Sequence, residues 1–96
     1  MSIGREIRAE RRRQESLFGP NSAAHPGTMT HEMRLAILTE EVGEAAHCLT
    51  EAHLYPLGVA REMERLRVEL VQVAAVAVAW IEALDAGKIK DRSPPA

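Results

Sequence analysis

Aromatic side chains are the scarcest ingredient of this 96-residue chain: Phe18, Tyr55 and Trp80 make up 3% of it. Its core must therefore come from small and aliphatic side chains, of which there are 15 Ala, 9 Leu, 7 Val and 5 Ile. A single cysteine, Cys48, excludes an intrachain disulfide framework and a CxxC zinc site. No stretch reaches the roughly 18–20 apolar residues that span a bilayer. The basic start (Arg5, Arg8, Arg11, Arg12, Arg13) has no apolar run behind it, so no signal peptide is expected and a cytoplasmic, membrane-free chain is. A formal net charge of −2 gives no global nucleic-acid signature. Of a chain this short, folding hides only roughly 60–65% of the unfolded surface. A homodimer or homotetramer is expected for that reason.

What is present is charge in blocks and helix-forming sequence between breakers. Residues 1–20 carry five Arg against three Glu, residues 21–60 one Arg against five Glu, and residues 61–96 balance six against six. One domain over 1–96 is expected. It consists of a basic helix within 1–18, a Gly/Pro/Asn/Ser loop over 19–29, core helices over 30–86 and a tail over 87–96. Thr28 or Thr30 offers an N-cap, Tyr55-Pro56-Leu57-Gly58 a break, and Gly87 a stop. No alternation of period two appears, so the fold class is all-α.

Unrolled at about 100° per residue, the second helix puts Leu35, Leu38, Val42, Ala45, Ala46 and Leu49 on one stripe, the expected core face. Glu40, Glu41, Glu44 and Glu51 share another sector with Met33, Ile37 and Cys48. An acidic face that interleaves three apolar residues is expected to look onto another helix or a cleft. On the third helix, Leu66, Leu70, Ala74, Ala77, Ile81 and Leu84 form the expected core stripe. From Leu70 to Ile81 eleven of twelve residues are apolar, with Gln72 the exception. A helix apolar all round must be covered all round, in part by another subunit. Glu69 enters this helix and must there be protonated, paired with Arg65 one turn earlier, or bound to a cation.

EEVGE (Glu40, Glu41, Glu44) and, after 24 intervening residues, ELVQ (Glu69 to Gln72) set oxygen donors at i and i+3 on two successive helices. Hard divalent cations such as Mg²⁺ or Mn²⁺ take that ligand type. The pattern EExxE followed by ExxD resembles the metal signature of the MazG-like all-α NTP pyrophosphatases, over roughly residues 28–86. The resemblance implies a helical bundle whose four-helix core is completed between chains. It implies hydrolysis of a nucleoside triphosphate to the monophosphate and pyrophosphate. Glu41, Glu44, Glu69 and Gln72 would then be metal positions, and Glu40 a ligand or the base that orients water. Gln72 stands where the signature has aspartate, and a neutral oxygen binds a cation more weakly. The alternative is a non-catalytic nucleotide- or partner-binding bundle with a degenerate metal site.

Arg12, Arg13 and Arg65 are candidate substrate contacts because a guanidinium fork fits phosphate oxygens. The resemblance implies a first helix that helps form the nucleotide pocket, which adds Gln14, Leu17 and Phe18 as candidate base contacts. Docking of that helix on the core is their competing role. Arg61 and Arg67 are further phosphate candidates, with surface ion pairing as the competing role. Glu44-x-x-His47 has the spacing of di-iron bundles, which need the motif on two helices, and the third helix supplies no histidine. A basic arm for nucleic acid is disfavoured, because the Arg11-Arg12-Arg13 cluster is short and has no aromatics between its charges.

Overall fold

The computed structural model describes residues 2–18 and 29–87, with the side chain of Phe18 outside that set. It holds three helices and, among the described residues, no strand: α1 (Ile3–Phe18), α2 (His31–Leu54) and α3 (Val59–Asp85). No described helix is long and apolar enough to cross a membrane. The expected loop and tail lie, apart from Met29 and Gly87, outside the described residues.

Local chemistry explains the helix ends. The Thr30 hydroxyl accepts from the Met33 amide at 3.2 Å, closing the first turn of α2. A single 3-10 turn over Pro56–Gly58 reverses the chain into α3, the proline sitting where a helical start lacks partners for its amides. Gly87 ends the run at φ 65°, a left-handed value that suits glycine, and its amide donates to the Leu84 carbonyl at 3.0 Å.

α2 packs along α3, and α1 lies on α3. The buried apolar residues are Met29 ahead of α2, Ala45 and Cys48 on α2, and Ala75, Val76, Ala79 and Ala83 on α3. This corrects the expected core stripes. Of the α2 set only Ala45 is buried, and Leu35, Val42, Leu49, Leu70, Ile81 and Leu84 are each 50–55% exposed. Small side chains let two helix backbones approach closely, so the closest contact went to alanine and cysteine. The bulky aliphatics flank it on an open face. The acidic sector of α2, with Cys48 in its middle, does look onto α3, as the apolar residues among its glutamates implied.

Among the described residues two polar side chains are also buried, Gln14 and Arg34. Arg34 is 0% exposed, and its guanidinium donates to the carbonyls of Met29 and Thr30, tying the approach to α2 onto its first turn. Burial holds its pKa below the ordinary arginine value. Trp80 near the end of α3 donates its indole N–H to Nδ1 of His31 at 3.1 Å, joining the far ends of the α2–α3 pair.

Candidate metal centre

Glu41 and Glu44 stand one turn apart on α2, and Glu69 faces them from α3. One carboxylate oxygen from each lies within 4.8 Å of the others. Oxygens on opposite sides of a Mg²⁺ or Ca²⁺ ion stand about 4–5 Å apart, so the group has the span of a coordination sphere. Glu41 Oε2 and Glu69 Oε2 are buried and have no hydrogen-bond partner. Buried carboxylate oxygens without donors are costly, and an all-oxygen set of three carboxylates is what a hard cation relieves. The residues therefore fit a divalent cation.

The electrostatics point the same way. Burial pushes the Glu41 carboxyl up, and the charges of Glu44, Glu10 and Glu40 add to that, against an opposing pull from Arg13. Burial also raises Glu69. Glu44, close enough to share a proton with it, and Glu41 raise it further, while Arg65 works against them. Three carboxylates in one crevice resist ionising together unless a proton or a cation joins them.

Arg65 does not neutralise Glu69 by a direct bridge. Its guanidinium instead donates to Glu62 one turn earlier, at 3.2 Å. Arg65 does line a cavity of about 340 Å³ together with Glu40, Gly43, Glu44, His47 and Glu69. Glu40 is exposed at its edge. His47, the second half of the ExxH spacing, pairs with Glu51 at 3.3 Å.

The other expected site residues scatter. Gln72 is half-buried one turn beyond Glu69, and its backbone carbonyl accepts from Gln14 Nε2 at 3.5 Å. Gln14 is buried between α1 and α3. Arg13 grips Glu10 through Nε and Nη2, at 2.8 and 2.7 Å. Arg12 lines a separate groove of about 820 Å³ between α1 and α3, with Ile7, Arg8, Arg11, Val78 and Glu82. The Phe18 side chain lies outside the described residues.

Sequence reasoning missed Glu10. It sits on α1, which the charge pattern marks as basic, and only its spacing to Arg13 and Gln14, one turn on, hints that the three act together. No protein-family model, curated protein or solved structure matches this chain.

Proposed function

We propose that the chain is a divalent-cation-dependent nucleoside triphosphate pyrophosphohydrolase of the MazG-like kind, yielding a nucleoside monophosphate and pyrophosphate. The observation that carries this reading is the three-carboxylate crevice between α2 and α3, with its two buried, partnerless oxygens. Glu41, Glu44 and Glu69 would hold Mg²⁺ or Mn²⁺, with Gln72 as a neutral oxygen donor at the margin. A bound cation supplies charge neutralisation of phosphate oxygens and a water of lowered pKa.

The chain's own side chains do the rest. Glu40, at the open edge of the cavity, accepts the proton of the attacking water. Arg65 keeps one side of its guanidinium on Glu62 and presents the remainder to the phosphate chain. The bond between the α and β phosphates breaks, and the bridging oxygen leaves with pyrophosphate. Arg12, Arg13, Gln14 and Phe18 remain the candidates for further substrate contacts from α1.

A second copy of the chain belongs to this reading. Leu35, Val42 and Leu49 repeat at seven-residue intervals on α2, and Leu70, Ile81 and Leu84 stand exposed on α3. α1 covers the part of α3 that carries Val71 and Val78 and leaves these residues open. Two such helix pairs, face to face, would bury both stripes in a four-helix core. Light scattering on the purified chain tests this directly, and a monomer at micromolar concentration would contradict it.

One observation favours a different reading, a nucleotide-binding bundle without catalysis: Gln72 contributes no charge. A panel of nucleoside triphosphates with Mg²⁺ or Mn²⁺, assayed for pyrophosphate, separates the two. Release that disappears in Glu41→Gln supports the enzyme. Nucleotide binding with no release supports the second reading, and absence of any cation binding removes the first.

A further inference from the structure

α3 carries three arginines in its first half, Arg61, Arg65 and Arg67, and their surroundings differ. Arg67 is held by Glu6 of α1 through two hydrogen bonds, at 2.9 and 2.7 Å. Arg65 gives part of its guanidinium to Glu62. Arg61 is exposed and, among the described residues, has no ion pair. It sits in the first turn of α3, where the helix dipole disfavours a cation and favours an anion. Its guanidinium thus costs the helix a little and is left available to an outside anion.

Arg61, Glu64, Arg65, Val68 and Glu69 line a cavity of about 420 Å³. Arg65 and Glu69 also line the cavity that holds Glu40, Glu44 and His47, so the two hollows border one another at these side chains. Glu69, Arg65 and Arg61 follow one another at four-residue intervals, about 6 Å of rise per step. The fixed charges of the outer cavity cancel, two arginines against two glutamates, so an anion gains most there once a cation has joined Glu69.

We propose that Arg61 holds the terminal phosphate of the substrate and thereby selects a nucleoside triphosphate over a diphosphate. The inference rests on the cation reading above. With the bond between the α and β phosphates at the crevice, the rest of the phosphate chain runs along α3 toward its first turn. The β phosphate then lies against the open side of Arg65 and the γ phosphate against Arg61, each guanidinium meeting two oxygens. A diphosphate ends before Arg61.

Calorimetry in Mn²⁺ with two analogues that resist cleavage, α,β-methylene ATP and α,β-methylene ADP, tests this without turnover. It uses the full chain, with helix content checked for every variant. The unaltered chain should bind the triphosphate analogue about tenfold more tightly than the diphosphate or better, the scale of one hydrogen bond between charged groups. Arg61→Gln should bring that ratio below about threefold by weakening the triphosphate alone. Arg67→Gln removes an equal charge from the same helix and should leave the ratio in place. Equal affinity for the two analogues in the unaltered chain, a ratio that survives Arg61→Gln, or one that Arg67→Gln removes as well, overturns the proposal. Failure of both analogues to bind overturns it too. Mn²⁺ binding without any phosphate, followed by EPR, reports separately on the cation reading. Glu69→Gln should weaken it, and if that variant binds Mn²⁺ normally the cation reading itself is wrong, whichever analogue the chain prefers.

Discussion

α3 meets its two neighbours in different ways. Against α2 it presents Glu69 and, seven and fourteen residues on along the same face, Val76 and Ala83, both at most 3% exposed, so small side chains line that contact. Against α1 it presents charged groups: Arg67 donates to Glu6 at 2.9 and 2.7 Å, and Glu82 accepts from Arg11 at 3.0 Å. Among the described side chains of α1, Gln14 is the one that is buried. The α2–α3 contact is steric and insensitive to salt. The α1–α3 contact adds to the half-buried Ile7, Val71 and Val78 a set of exposed ion pairs, each of small net worth and screened by salt. The carboxylate crevice interrupts the first contact and borders the second, so a rigid pair of helices holds the acids and a more loosely held helix holds Glu10 and Arg13.

The largest expected effect separates function from stability within the α2–α3 contact. Glu69→Gln should lower cation-dependent pyrophosphate release by on the order of a hundredfold or more. The same substitution should raise the stability of the cation-free protein by about 0.5–2 kcal/mol, since it removes a buried, crowded charge. Thermal melts with and without EDTA measure the second half. If the variant loses both activity and cation-free stability, Glu69 is a structural residue and the crevice is no exception to the contact around it.

Next in size is a test of close approach itself. Ala79 is 2% exposed. Ala79→Leu should cost about 1–3 kcal/mol by overpacking, read from chemical denaturation. Leu49→Ala on the open stripe should cost the isolated chain far less. A Leu49→Ala penalty equal to that of Ala79→Leu would instead mean that the exposed stripe is covered by a second copy under the conditions of the experiment.

Acidity should act through the crevice as well. Glu41 and Glu69 are raised above an ordinary value near 4.5, so their folded forms prefer the proton. Stability from this source is fully present below that ordinary value and is lost as pH rises through the raised ones. Glu6 is lowered by its hydrogen bond to Arg67 and works the other way, losing its contribution as pH falls below the ordinary range. In EDTA, the Tm should therefore fall by a few degrees as pH rises above that ordinary value. Saturating Mg²⁺ should flatten that slope, and a slope unchanged by the cation would place its binding elsewhere.

How much of this was legible in the residues differs along the same line. The Thr30 cap, the break before Pro56 and the stop at Gly87 follow from local chemistry, and each stands where the sequence puts it. Glu41, Glu44 and Glu69 were legible because i and i+3 spacing survives any choice of packing partner. The core face was not. Periodicity marks both the leucine stripes and the alanine stripe as apolar, and only the distance between helix axes decides which is inside. Arg34 could not be foreseen as buried, because its partners are carbonyls that any residue could supply. Glu10 depends on where α1 lands, which no pattern within α1 determines.

The smallest effect is the most direct measure of how α1 is held. Arg11 bridges Glu15 on its own helix at 2.5 Å and Glu82 on α3 at 3.0 Å, and the Glu82 side chain is 54% exposed. Coulomb attraction at such an exposed pair is offset by the ordering of two long side chains, and salt weakens what is left. A double-mutant cycle with Arg11→Ala and Glu82→Ala should give a coupling of about 0–1 kcal/mol, shrinking between about 0.05 and 1 M salt. Hydrogen exchange should show α1 amides opening more readily than those of α3 around Ala79, with the gap widening as salt rises. Equal protection of the two helices at high salt would mean that α1 is held by more than its ion pairs, and that Glu10 is fixed where it stands.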